Sequence, residues 1–294
     1  MNSIINCNQN INILKSAPFE IKHNSDAIQF YATNSVAFRS IHNRQSVLEN
    51  IIKCIKKENL IGEGRNSKVY KYTDNLVIKV LKSNSTNKII VNELPEYNLG
   101  QAIHKVQDNI YILRKLEGFQ HGFEDWVKVT KMLSIPQEKA QKFAKQIHKI
   151  SKMPNETFDE FAKITKYIGD NGYKNDSINP NNLLIDYDKQ QINIIDYIKT
   201  NPNLQLKNCY LDMVCNILDY INFEKIYRAL PKEEQKSFIE DANVIIKRCY
   251  NSAQKEGLST DKSSFEEFIS FVGKVFNIGS LMENYKTFVN LVSL

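Results

Sequence analysis

Apolar residues first recur at helical spacing from Ser46 onward, at Val47, Leu48, Ile51, Ile52 and Ile55, and predict a short amphipathic helix. Residues 1–45 before it are polar with few sustained periodic runs, so they read as a weakly ordered leader and the compact domain is placed at 46–294. Between 58 and 116 the period shortens. Leu60-Ile61, Lys68-Val69-Tyr70-Lys71-Tyr72, Leu76-Val77-Ile78-Lys79-Val80-Leu81 and Ile110-Tyr111-Ile112-Leu113 are β-prone runs separated by turn residues. One helix is expected near Val91, ending before Gly100.

From Ser134 the helical period dominates. Ser134, Pro136 and Glu138 form a helix start, with Phe143, Ile147 and Ile150 on one face. A second helix carries Phe158, Phe161, Ile164 and Ile168 and stops at Gly169-Asp170-Asn171-Gly172. A hairpin follows, Leu183-Leu184-Ile185-Asp186 with Ile192-Asn193-Ile194-Ile195. After about 210 come four or five helices, one opening after Pro231 and one at the capping box Ser263-x-x-Glu266. The expected fold class is α+β, with two lobes: an antiparallel sheet with one helix at about 58–117, and a mainly helical part at about 118–294.

Composition narrows the function classes. No stretch approaches the ~18–20 apolar residues of a membrane span. The net charge of +6 comes without a recognisable nucleic-acid reading module, so no nucleic-acid partner is expected. The five cysteines are widely spaced without a CxxC pair and read as reduced thiols, and the five scattered histidines give no zinc spacing.

Chemistry concentrates in two places. Ile61-Gly62-Glu63-Gly64-Arg65-Asn66-Ser67-Lys68-Val69-Tyr70 is strand, Gly-x-Gly turn and strand, a shape whose backbone N–H groups can close over phosphate oxygens but which also serves as an ordinary tight hairpin. Lys79 sits among β-branched residues at a strand centre, where lysine is unusual without a partner. Glu93, fourteen residues on, opens the expected helix, and Glu96 rivals it one turn later. The second place is the hairpin. Asn182 leads into its first strand, Asp196 ends its second, and Asp176 precedes both. Asn and Asp oxygens suit Mg²⁺, and Asp176 could orient a hydroxyl and accept its proton. Ordinary turn chemistry is the alternative for each, and it is the reading kept for Asn179 and Asn181.

Taken in order, Gly loop, strand Lys, helix Glu, loop Asp, strand-leading Asn and strand-ending Asp resemble the protein-kinase fold. Within it the chain is similar to small bacterial type III secreted effector kinases of the NleH and OspG type. That resemblance rests on 61–70, on Lys79 and Glu93, on Glu93-Leu-Pro-Glu-Tyr-Asn-Leu-Gly100, on Lys115-Leu116-Glu117-Gly118, and on Asn182-Leu-Leu-Ile-Asp186 with Ile195-Asp196. It covers about 60–200. The resemblance implies transfer of the ATP γ-phosphate to Ser/Thr hydroxyls of host proteins. Gly62, Glu63, Gly64, Ser67 and Val69 would close over ATP. Lys79 would hold phosphates with Glu93 as its partner, Lys115 and Glu117 would belong to the hinge contacting adenine, and Asn182 and Asp196 would bind Mg²⁺. It also implies synthesis in a bacterial cytoplasm and delivery into a host cell, with 1–45 as export signal and chaperone-binding region. Contact with ubiquitin-conjugating machinery is an analogy only.

Three departures from the kinase pattern stand out. Lys174 and Asn175 occupy the place of the usual catalytic-loop His, so His-x-Asp is missing. Counting back five from Asn182 lands on Ser177, so either the loop holds one extra residue and Asp176 is the base, or the base is lost. Asp196 is followed by Tyr197-Ile198 with no Ala-Pro-Glu after it, which predicts activity without activation-loop phosphorylation. A small-molecule phosphotransferase of the aminoglycoside-kinase kind and a pseudokinase that acts as a binding module are the competing expectations.

Overall fold

The computed structural model describes residues 41–63, 67–82, 102–199, 206–275 and 277–294. The leader up to residue 40, Gly64 and the expected helix with Glu93 and Glu96 lie outside the described residues. The chain divides into two units between Leu116 and Glu117. The class is α+β: an antiparallel sheet in the first unit, mostly helices in the second.

In the first unit, helix α1 (Ile41–Cys54) starts ahead of the Ser46 at which its apolar spacing becomes visible. Five strands follow: β1 (Leu60–Glu63), β2 (Ser67–Lys71), β3 (Leu76–Leu81), β4 (Ala102–Gln107) and β5 (Ile110–Arg114). Their order is β1-β2-β3-β5-β4, antiparallel throughout. Side chains alternate between the faces of a strand. Tyr70, Ile78 and Ile112 therefore share one face and pack with Ile51 and Cys54 of α1. Val77, Leu81, Tyr111 and Leu113 cluster on the other. Lys79 belongs to this second face, in register with Val69 on β2 and Tyr111 on β5. Strand β4 escaped the sequence reading because it is an edge strand of mixed polarity.

The second unit begins with β6 (Phe119–Gln120), α2 (Trp126–Lys131), α3 (Gln137–Ser151) and α4 (Asn155–Asp170). Next come β7 (Tyr173–Asn175), the 3₁₀ turn Pro180–Asn182, β8 (Leu183–Asp186), β9 (Gln191–Ile194) and β10 (Tyr197–Lys199). Helices α5 (Tyr210–Leu218), α6 (Phe223–Ala229), α7 (Lys232–Glu256), α8 (Ser263–Val275) and α9 (Leu281–Val292) complete it. Helix α5 is buried along its whole length, and Phe143, Ile147, Phe158, Phe161, Phe223 and Phe288 fill the space between its neighbours. Each such side chain contributes roughly 1.5–3 kcal/mol when buried.

Two helices are capped otherwise than expected. Helix α3 opens at Gln137, and the Ala140 N–H reaches the Pro136 carbonyl, so Ser134 does not cap it. Helix α8 opens at Ser263 as expected, but the Ser263 hydroxyl is turned to the Asp261 carboxylate, which also accepts from the Ser263 N–H. An ionised carboxylate outcompetes a hydroxyl for an orphan N–H near the positive helix end.

Candidate functional site

The expected hairpin is β8–β9, with Leu183 opposite Ile194 and Asp186 opposite Gln191. Strand β6 adds to its other edge, Gln120 opposite Leu184. This edge demands glycine at 118: φ is +122°, and a Cβ there would stand 2.8 Å from the Ile185 carbonyl carbon. Gln120 Nε2 then donates to the Asn181 carbonyl at 3.1 Å, and the Asn181 amide donates to the Phe123 carbonyl at 2.8 Å. The turn carrying Asn182 is thus held from outside.

A second, shorter pairing positions the carboxylates. Strands β7 and β10 run antiparallel with Asn175 opposite Tyr197. Successive partners in such a ladder run in opposite directions, so the residue after Asn175 faces the residue before Tyr197. Those are Asp176 and Asp196. Asn182 joins them, its Nδ2 donating to Asp176 Oδ2 at 2.8 Å, while its carbonyl accepts from the Ile195 N–H at 2.8 Å. The structure therefore brings together Asp176, Asn182 and Asp196. It separates Ser177 from them: that hydroxyl is buried and donates to Asp212 Oδ1 at 3.1 Å.

Burial pushes the Asp176 carboxyl up to about 7, and the negative charge of Asp196 adds to the rise. Donors from the Ile178 N–H and the Asn182 amide oppose it only partly. A carboxyl of this kind exchanges protons near neutrality.

Beneath the loop lies a row of polar residues that sequence reading passed over. Asn208, Asp212 and Asn216 recur every fourth position, inside or just before an otherwise apolar helix, and all are buried. Asn208 Oδ1 accepts from the Asn175 N–H at 3.0 Å, and its Nδ2 donates to the carbonyls of Thr165 and Tyr173. Asp212 pairs with Lys174 at 2.8 Å, both side chains within 1% of full burial, and takes the Cys209 N–H as well. Asn216 Nδ2 donates to the Asp176 carbonyl at 2.8 Å. The signal was the spacing itself, since polar residues at i, i+4, i+8 on an apolar helix need buried partners. Lys174, which stands where a His was sought, is the cation that lets Asp212 be buried.

The first-unit residues are placed as follows. Gly62 lies in β1 with open space where a Cβ would point, and Glu63 is paired with Lys82 at 2.8 Å and Lys68 at 3.5 Å. The Lys82 contact leads in holding the Glu63 carboxyl below its usual range. Ser67 and Val69 are half-buried in β2, opposite Leu81 and Lys79. The Lys115 N–H donates to the Asn75 carbonyl at 2.9 Å. Glu117, the first residue of the second unit, accepts at its carbonyl from Asn193 Nδ2 at 3.4 Å.

Among the described residues no group of three or more His, Cys, Asp and Glu side chains is assembled for a metal. No helix among them is long and apolar enough to cross a membrane. Neither a protein-family model nor a curated protein matches the chain.

Proposed function

We propose that the chain is an ATP-dependent protein Ser/Thr kinase. The observation that carries this reading is the Asp176–Asn182–Asp196 constellation, assembled by two independent pairings, β7–β10 and β8–β9. Asp176 is the base: a substrate hydroxyl hydrogen-bonded to its carboxylate is oriented for attack, and a carboxyl near 7 can accept that proton at neutral pH. Asn182 locks its rotamer, and the Asn216 contact fixes the backbone beneath it.

The donor set suits Mg²⁺. The Asp196 carboxylate and the amide oxygen of Asn182 are hard oxygen donors, too few to enclose the ion, which matches a cation that keeps water and phosphate oxygens. Asp196 and Asn182 would hold it. When bound, the ion neutralises charge on the nucleotide phosphates. Lys79, between Val69 and Tyr111, is the proposed phosphate ligand, with Glu93 as its partner. Delivery to a host cell and host substrates rest on the motif resemblance alone.

The test is transfer of label from γ-labelled ATP with Mg²⁺, alone and with generic protein acceptors, for the parent, Asp176→Asn, Asp196→Ala and Lys79→Ala. The reading expects transfer by the parent, near-complete loss in all three variants, and no loss on phosphatase pretreatment of the parent. Full activity in Asp176→Asn would remove the assigned base. Nucleotide binding with no transfer by the parent would point to the pseudokinase.

A further inference from the structure

The stretch from Lys128 to Lys152 holds seven lysines and a single carboxylate, Glu138, a surplus of six that equals the net charge of the whole chain. Outside that stretch the second unit has more carboxylates than cations. On α3 and its C-cap, Lys142, Lys145, Lys149 and Lys152 follow at i, i+3, i+7 and i+10, a single stripe opposite the buried Ala140, Phe143, Ile147 and Ile150. All four are exposed. Of the acids around the helix, Asp125 is taken by Lys139 at 2.8 Å and Asp241 by His148 at 2.9 Å, which leaves Glu138, one turn before Lys142, as the one carboxylate on the stripe. Among the described residues none of the four stripe lysines stands in an ion pair.

The stripe ends on aromatic rings. Lys149 Nζ lies 5.1 Å from the centroid of the Tyr187 ring, and Tyr187 lies 6.3 Å from Phe119. Phe119 is 72% exposed. A solvated helix face ordinarily mixes both signs of charge, and an exposed phenylalanine beside it is a separate cost; here four lysines outnumber the single Glu138 on their face, and Lys149 leads from them to the rings.

We propose that this surface docks an acidic segment of a partner protein, extended along α3 with an apolar side chain seated on Phe119 and Tyr187. From Lys142 to Lys152 the helix rises about 15 Å, the span of four to five extended residues. Point charges along that line match carboxylates of an extended chain, and the two rings supply a desolvated anchor at one end. Strand β6, which carries Phe119, also carries the Gln120 contact to Asn181, so the docking surface adjoins the candidate site. The binding goes beyond the kinase reading and is measurable without nucleotide.

The experiment is fluorescence anisotropy of a labelled peptide of alternating Glu and Asp with one Phe near its end, titrated with the full chain at two salt concentrations. The expected result is saturable binding that weakens with salt and falls about tenfold in Lys142→Glu/Lys145→Glu/Lys149→Glu. Phe119→Ser should lose about threefold or more, and the same peptide without its Phe should show no further loss on that variant. Lys145→Glu alone tests the stripe should the triple variant fold poorly. Lys236→Glu, an exposed lysine of α7 outside the stripe, should bind as the parent does. Equal affinity in parent and stripe variants, or equal loss in Lys236→Glu, overturns the proposal. So does tighter binding of phosphatidylserine vesicles or of a single-stranded oligonucleotide through the same residues.

Discussion

The protonation of Asp176 has a consequence for stability that needs no substrate. In the unfolded chain this carboxyl titrates near its usual 3.8, whereas in the folded protein it is pushed up to about 7 by burial and by Asp196. Between those values the folded chain holds a proton that the unfolded chain has released. Stability therefore falls as pH rises across that window and levels off above about 7. At 1.36 kcal/mol per unit the full penalty is about 4 kcal/mol, an upper figure because Asp196 is exposed and its charge is partly screened.

Asp176→Asn removes this penalty while keeping an oxygen for the Asn182 amide. Part of the penalty is already present at about pH 5, so between about pH 5 and 8.5 the variant should gain about 2–3 kcal/mol on the parent. For a domain of this size that is roughly 5–10 °C in melting temperature. The assay is paired thermal unfolding in chelator across this range. His121 and Asp219 also titrate out of their usual places, but they do so in both proteins and cancel in the difference. Adding Mg²⁺ should raise both proteins, because each keeps Asp196 and Asn182 and an ion bound only by the folded state stabilises it by mass action. A gap in melting temperature that stays constant with pH would mean that Asp176 is ionised throughout, and the argument from burial and Asp196 would be wrong.

Further outcomes follow from single contacts. Lys174→Met leaves Asp212 buried without its cation and should cost about 3–5 kcal/mol in denaturant melts, with part recovered in Lys174→Met/Asp212→Leu. Gly118→Ala sets a methyl 2.8 Å from the Ile185 carbonyl carbon in a positive-φ position and should cost about 1–3 kcal/mol by the same measurement. His121 is buried and held down to about 4, chiefly by desolvation, with Nε2 2.6 Å from the Ile217 carbonyl. Its contribution is fully present above the usual 6.5 and is lost as pH falls toward about 4, by about 3 kcal/mol. His121→Gln should flatten that acid limb in unfolding curves taken between about pH 4 and 6.5.

How far the sequence foretold the molecule depends on where each element finds its partners. Strands β1, β2, β3 and β5, the hairpin β8–β9 and helices α3 and α4 were legible because each buries one periodic face, and the period is written in the chain. Strands β6, β7 and β10 were not. They are two or three residues long, too short to show a period, and exist because a distant segment supplies the other half of each ladder. The same limit governed the candidate site. Asp176, Asn182 and Asp196 could be named from residue type and order, but their meeting depends on Asn175 lying opposite Tyr197, a register no local pattern encodes. Asp176 and Ser177 were rivals in the sequence because spacing alone cannot say which way two adjacent side chains turn. The structure separates them by what lies beneath: Asp212 takes the Ser177 hydroxyl and the Lys174 ammonium from the two sides of Asp176. With Lys174 and Ser177 drawn down to the α5 side and Asn216 holding the Asp176 carbonyl, the Asp176 carboxylate turns to Asn182. The every-fourth-residue row Asn208, Asp212, Asn216 was visible in the chain all along, and a buried polar row of that spacing is a usable sign that a helix supports a loop of chemical consequence.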